Sequence, residues 1–167
     1  MRSGEFSGIR TPPDSESVAL KQRVLALLAV SEGRETLVPL GGDLFDVVIT
    51  AAGPAGHRAV AAMTALKHCG PVLAETAGPW LWWLVPPRTT STWRHHPYGI
   101  SVGAPAAIRL PPPHRTAPPA EGGTYWLRSL RDGALNDPGP LRDVLGQEQP
   151  VPAPHASVAL LLTGIHL

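Results

Sequence analysis

The chain has 167 residues, and its 14 basic and 13 acidic side chains give a formal net charge of +1. This balance excludes attraction of the whole molecule to nucleic acid, so any such binding must come from a local basic patch. The single cysteine, Cys69, excludes an internal disulfide, but a chain of this length buries roughly 68–70% of its unfolded surface and needs no such crosslink.

The N-terminal segment "MRSGEFSGIRTPP" is polar and ends in two prolines, so we expect residues 1–13 to form a disordered lead. It lacks the apolar core of a signal peptide, which favours a cytoplasmic location. Residues 14–167 are expected to form one domain. The most apolar run, "ASVALLLTGIHL", has about half of the roughly 20 residues that span a bilayer, so we expect a core element and no membrane association.

Two helices are predicted in the N-terminal half. The first begins near residue 14, carries apolar residues along one face and stops at Gly33. The second begins at Pro54, presents a face of mostly alanine and stops at Gly70. Between them, "TLVPL" and "LFDVVIT" are β-branched runs separated by Gly41-Gly42. We expect both runs in a central sheet, joined by a hairpin or a sharp reversal.

The C-terminal half is predicted to hold short strands. "PVLAET" and "WLWWLVP" are typical of a hairpin, "RTTSTWRHHPYG" of a polar loop, and "AAIRLPPP" and "TYWLRSL" of two further strands. Residues 137–155, with five prolines, predict a stiff irregular connection with one helical turn at "LRDVLG". About two helices and six or seven strands predict an α+β domain with a mixed, largely antiparallel sheet.

Three segments together resemble a known family. They are "VPLGGDLFDVVI", "ETAGPWLWWLVPP", and "GAPAAIRLPPPH" followed by "GGTYWL". In order and spacing, over roughly residues 18–130, they resemble the prim-pol domain of bifunctional DNA primase-polymerases in the archaeo-eukaryotic primase superfamily, especially its divergent actinobacterial forms. The resemblance implies a compact α+β domain whose sheet forms a cleft for nucleotide and template.

The catalytic groups of that family are missing from the matching positions. Nucleotidyl transfer there needs two Mg²⁺ or Mn²⁺ ions, which are held by paired carboxylates. The resemblance places Ile49 and Ala51 at the paired acid positions and Trp80 at the position of a phosphate-binding histidine. The third acid falls near Ile100 or Ser101. We therefore predict a catalytically degenerate domain with no metal and no cofactor.

Asp46 is the one acid inside the matching strand, and it would be catalytic only if the enzyme were active. A lone acid near the start of a strand more commonly caps a turn or faces solvent. Trp80 and Trp82 are expected on one side of their strand and Trp83 on the other. Such aromatic residues are more typical of a core than of a stacking platform for single-stranded nucleic acid.

Two groups of binding residues are predicted. The nucleic-acid group combines the basic and aromatic residues of the polar loop with two later arginines: Arg88, Trp93, Arg94, Arg109 and Arg115. The phosphate group lies at the strand-to-helix turn, where free amides at a helix N-terminus attract anions: Gly53, Gly56, His57 and Arg58. The histidines His95, His96 and His114 match no usual zinc spacing.

Three functions remain open from the sequence. The first is a non-catalytic nucleic-acid-binding, nucleotide-binding or accessory module in DNA replication, whose partner is single-stranded or template nucleic acid or a replication or regulatory protein. The second is an active primase-polymerase in which Asp43, Asp46 and Glu75 converge on Mg²⁺ or Mn²⁺. The third is a regulatory protein-interaction domain that binds no nucleic acid.

Overall fold

The computed structural model describes residues 34–76, 78–129 and 135–152, together with Gln22. Apart from Gln22, the predicted disordered lead and the predicted helix that stops at Gly33 lie outside the described residues, as does the apolar C-terminal run. The described elements, in chain order, are β1 (Thr36–Pro39), β2 (Asp46–Ala51), α1 (Pro54–Ala65), β3 (Val72–Glu75), β4 (Trp80–Val85), α2 (Thr89–Thr92), β5 (Ile100–Val102), β6 (Ala107–Leu110), β7 (Thr124–Arg128) and α3 (Pro138–Glu148).

Every strand pair is antiparallel. Five strands form a central sheet in the order β5-β2-β4-β3-β7, and β1 pairs with β6 in a separate two-stranded ribbon. The predicted hairpin of β3 and β4 is confirmed by the register that pairs Val72 with Trp83 and Ala74 with Leu81. The chain therefore folds as the predicted α+β domain with a largely antiparallel sheet.

The central sheet is covered on both faces. Side chains of α1 and α3, such as Met63 and Leu145, pack with Val48, Leu81 and Trp83 on one face. On the other face, residues of the ribbon and of β7 pack with alternate residues of β2 and β4. This second cluster contains Val38, Leu40, Phe45, Val47, Ile49, Ala51, Leu73, Trp80, Leu84, Ile108, Leu110 and Trp126. The described residues thus form three layers: the helices α1 and α3, the five-stranded sheet and the ribbon.

The tryptophans of β4 are part of these layers. Trp80 belongs to the ribbon side of the sheet and Trp82 packs against the same cluster, whereas Trp83 belongs to the helix side. The Trp83 indole Nε1 donates a hydrogen bond to Thr50 Oγ1 at 2.9 Å, and both residues are fully buried. The interpretation of this strand as core, with Trp83 opposite the other two, is confirmed.

The expectation that β1 lies in the central sheet beside β2 is wrong. Gly41 and Gly42 both have positive φ, and the Gly41 N–H donates to Phe45 O, so the chain does reverse sharply. However, β1 buries only Val38 fully, whereas all six residues of β2 are buried. A strand with one buried and one exposed side belongs in an outer layer of the domain. Accordingly, β1 pairs with β6, which is distant in sequence, and does not pair with β2.

The predicted irregular connection at 137–155 is also wrong over most of its length, because residues 138–148 form the helix α3. Asp137 caps it, accepting a hydrogen bond from the Gly139 N–H at 3.2 Å. Pro138 and Pro140 lie in the first turn, where N–H groups have no intrahelical partner and proline costs little. The loop at 88–99 likewise contains the short helix α2 and leads into β5, a strand that the sequence did not predict.

Within the described ranges, none of the helices has the length and apolar character that crossing a bilayer requires.

Candidate nucleic-acid interface

Three of the positions that the resemblance assigns to catalysis lie in the buried core, whereas Ile100 and Ser101, near the position of the third acid, are only partly buried. Ile49 is 1% exposed and Ala51 is 5% exposed, and both pack in the cluster between the sheet and the ribbon. Trp80, at the position of the family's phosphate-binding histidine, pairs with Ala51 and belongs to the same cluster. None of these three side chains can bind a metal ion, and their surroundings are apolar.

Asp46 lies on the opposite side of β2, at the start of the strand, and is only 2% exposed. Its Oδ2 accepts a hydrogen bond from the backbone N–H of Thr90 at 2.9 Å, in the first turn of α2. The Thr90 hydroxyl in turn lies 2.9 Å from Ser101 Oγ on β5. Asp46 is therefore a buried capping residue that ties β2 to the 88–99 loop, and it does not face solvent.

Asp43 and Glu75 do not converge with Asp46. Asp43 is exposed in the turn before β2. Asp46 pairs with Val85 at one end of β4, whereas Glu75 follows Ala74, which pairs with Leu81 near the other end. Five residues along a strand span about 17 Å. Across the described ranges, no group of three His, Cys, Asp or Glu side chains is placed to hold a metal ion.

The 88–99 loop (Arg88–Gly99) is docked on α3 through Trp93. The Trp93 indole Nε1 donates to Gly99 O at 3.1 Å, and the guanidinium of Arg142 lies 4.7 Å from the centroid of the indole ring. Arg142 Nη1 also donates to the carbonyl oxygen of Arg94 at 2.7 Å. Trp93 is half-buried in this arrangement, so it holds the loop in place and offers little ring face for base stacking.

His96 makes the second contact between the loop and α3. Its Nε2 lies 3.2 Å from the carbonyl oxygen of Arg142, and its Nδ1 accepts a hydrogen bond from the Tyr98 N–H at 3.2 Å. The ring lies 6.1 Å from that of Trp93 and 5.8 Å from that of Tyr98. Burial lowers the pKa of His96, and the positive charge of Arg142 lowers it further.

The exposed cations of this region are Arg88 and Arg94. Arg88 has a left-handed conformation with φ 70°, and its carbonyl oxygen accepts from both the N–H and the hydroxyl of Ser91. Arg94 is exposed, and its carbonyl oxygen is fixed by Arg142. Arg142 is the residue that sequence reasoning missed, because it lies in the segment predicted as an irregular connection. The helical spacing of Leu141, Val144 and Leu145 was the signal that would have placed it.

Arg109 and Arg115 lie elsewhere. Arg109 is exposed on the outer side of the ribbon, where it pairs with Leu37. Arg115 forms an ion pair with Glu35 at 3.2 Å, and its carbonyl oxygen accepts from the N–H of Trp126 in β7. The strands β7 and β5 are the two edges of the sheet, about 19 Å apart at normal strand spacing. The predicted nucleic-acid group therefore divides, with only Arg88, Trp93 and Arg94 in one place.

The predicted phosphate group lies at the start of α1. Gly53 is the N-cap with φ 90°, and a Cβ on Gly56 would clash with the carbonyl oxygen of Ala51, so both glycines are needed by the turn itself. His57 is exposed. The guanidinium of Arg58 is paired with Glu148 at the end of α3, with Nε 2.8 Å from Oε2. Gly53 and Gly56 therefore shape the turn and Arg58 contacts α3, and none of these three roles requires a bound ligand.

Cys69 is not an activated nucleophile. Its thiol is half-buried, and burial raises its pKa despite the opposing effects of Thr64 and Arg128. A raised pKa leaves less of the reactive thiolate at neutral pH.

No family model matches the chain, and no curated protein or solved structure is significantly similar to it.

Proposed function

We propose that the chain is a catalytically degenerate domain of the primase-polymerase type, located in the cytoplasm, that binds single-stranded or template nucleic acid through the 88–99 loop as an accessory module in DNA replication. The observation that carries the loss of catalysis is the burial of Ile49 and Ala51 in an apolar cluster. An acid at either position would be buried without a partner, at a cost of several kcal/mol.

The arginines of the loop support its role in binding. Arg88 and Arg94 are exposed, and the backbone between them is fixed by Asp46 and by Arg142. Cations on a backbone that is already held need no ordering of the loop when they contact phosphate oxygens, so less conformational entropy is lost. Among the described residues both faces of the sheet are covered by other layers, in contrast to the cleft that the resemblance implies, which favours a loop as the binding place for a polynucleotide.

Fluorescence anisotropy with labelled single-stranded DNA at low and high salt tests the proposal. We expect binding that weakens as salt rises, and a salt slope that falls by about 1.4 when Arg88 and Arg94 are both replaced by alanine, since each phosphate contact on a single strand contributes about 0.7. The matched control replaces Arg109, which is also exposed but lies on the ribbon, and should leave the slope unchanged.

Two results would overturn the proposal. An absence of DNA binding at low salt would remove the nucleic-acid function and leave the protein-interaction alternative. Primer extension in the presence of Mg²⁺ or Mn²⁺, abolished by Asp46→Ala, would establish the active enzyme. The protein-interaction alternative would use the aromatic strand β4, which is mostly buried. The large apolar side chains that are exposed among the described residues are Leu37, Leu66 and Val151, on different parts of the chain. Such scattered residues are ordinary on a protein surface, so this alternative is not proposed.

A further inference from the structure

The two ring nitrogens of His96 have different roles. Nδ1 faces the backbone N–H of Tyr98, which can only donate, so Nδ1 must be the unprotonated acceptor. Nε2 faces the carbonyl oxygen of Arg142, which can only accept, so Nε2 must carry the proton. The contacts are therefore satisfied together by one neutral tautomer, and the imidazolium form satisfies only one of them.

The surroundings of His96 also oppose its protonation. The charged and titratable groups that face it are Arg142 from α3 and His95 and Tyr98 from its own loop. Within the described part of the chain, no carboxylate lies within ion-pairing distance of His96. A second positive charge here would be placed beside the guanidinium that holds Trp93 and the carbonyl oxygen of Arg94.

We propose that His96 is a pH-sensitive latch: its neutral form docks the 88–99 loop on α3, and its protonation releases the loop. Protonation places a hydrogen on Nδ1 against the Tyr98 N–H and repels Arg142, which breaks the turn at His96–Gly99 and the contact of Trp93 with α3. The latch controls the proposed nucleic-acid interface, and in that sense it rests on the proposed function.

The sign of the effect follows from the lowered pKa. Above the ordinary histidine pKa of 6.5 the ring is neutral in both the docked and the released loop, so docking is complete. As the pH falls below that value, the released loop takes up the proton first, and docking weakens until the pH has passed below the lowered pKa of the docked form.

Nuclear magnetic resonance without any DNA tests the latch, so that it succeeds or fails independently of nucleic-acid binding. The ring ¹⁵N signals of His96 and the indole N–H signal of Trp93 are followed as the pH is lowered. We expect the Nε2–H tautomer at neutral pH, a His96 titration midpoint below the ordinary histidine pKa of 6.5, and a Trp93 signal that moves with the same midpoint. A His96 midpoint at or above 6.5, or a Trp93 signal that does not change with the titration of His96, would overturn the proposal.

Three variants complete the test. His96→Asn keeps an acceptor for the Tyr98 N–H but cannot titrate, so the Trp93 signal should become independent of pH, whereas His114→Asn should leave the titration unchanged. Gly99→Ala crowds Trp93, Leu145 and Val48, each with an atom 3.1–3.3 Å from the added Cβ, and should loosen the loop at every pH. A pH-dependent Trp93 signal that persists in His96→Asn would assign the transition to another group.

Discussion

The guanidinium of Arg142 lies 4.7 Å from the centre of the Trp93 indole ring. This contact joins α3 to the 88–99 loop, two segments almost fifty residues apart along the chain, and the same guanidinium donates to the carbonyl oxygen of Arg94. These two contacts of Arg142 hold the 88–99 loop against α3. The arginines proposed to bind nucleic acid are thereby presented on a fixed backbone.

Replacing Arg142 by alanine should lower the free energy of unfolding by about 1–2 kcal/mol, because a cation–π contact is worth about 0.5–1 kcal/mol and the hydrogen bond to Arg94 adds a similar amount. Arg142→Lys keeps the charge but loses the planar stack, so its effect should be smaller. Urea denaturation measures the difference. Gln147→Ala, an exposed change on the same helix, is the control, and equal stability of Arg142→Ala and Gln147→Ala would contradict the prediction.

Asn136 should be among the most sensitive positions in the chain. Its fully buried side-chain amide accepts from the Gly70 N–H at 2.7 Å and donates to Pro71 O at 2.7 Å and to Leu84 O at 3.0 Å. Asn136→Leu keeps a similar volume but leaves the Gly70 N–H unpaired, at about 1–3 kcal/mol, and removes the two hydrogen bonds donated to Pro71 O and Leu84 O, at about 1 kcal/mol each. We expect a loss of at least 2 kcal/mol in urea denaturation.

The neighbouring Asp137→Ala is the matched control for Asn136→Leu. Asp137 is exposed, and its change removes the cap of α3, which costs about 0.5–2 kcal/mol, together with an exposed contact to His68 at 3.8 Å. An Asn136→Leu protein as stable as Asp137→Ala would show that the buried amide is not what attaches the start of α3 to the sheet.

The hydrogen bond between Trp83 and Thr50 allows the cost of one lost hydrogen bond to be measured without solvent compensating for it, because both side chains are fully buried. Thr50→Val removes the hydroxyl without changing the volume and leaves the indole N–H unpaired, so it should destabilise the protein by about 1–3 kcal/mol. Thr50→Ser keeps the hydroxyl and loses only a methyl group, so it should cost about 1 kcal/mol. Thermal denaturation would contradict this if Thr50→Ser were the less stable of the two.

The parts of the fold that sequence predicted are those whose pattern is local. The start of α1 at Pro54 and the hairpin of β3 and β4 follow from a proline at a first helical position and from two apolar runs around a turn. The sides taken by Trp80 and Trp83 follow from the two-residue period of a strand. Each of these signals lies within about a dozen residues.

The parts that sequence missed depend on distant partners or on context. The pairing of β1 with β6 joins residues about seventy positions apart, and four-residue strands carry no mark of their partner. Pro138 and Pro140 were interpreted as breakers, although the first turn of a helix tolerates both. The spacing of Leu141, Val144 and Leu145 is a local signal for the helix that carries Arg142, but nothing local to the sequence indicates that Arg142 contacts Trp93.

Placing an acid at position 49 should not create a metal site. Ile49→Asp buries a carboxylate in an apolar cluster, so it should lower the free energy of unfolding by more than about 3 kcal/mol. Ile49→Val, at the same position, should cost only about 0.5–1.5 kcal/mol. Leu37→Asp, on a side chain that is 60% exposed, should change stability by no more than about 0.5 kcal/mol.

Denaturation of Ile49→Asp with and without Mg²⁺ gives the decisive comparison. A carboxylate sealed beneath the ribbon cannot reach a hydrated cation, so Mg²⁺ should leave its stability unchanged. Recovery of stability with Mg²⁺ would mean that position 49 opens onto a cation site, which would contradict the loss of catalysis argued from its burial.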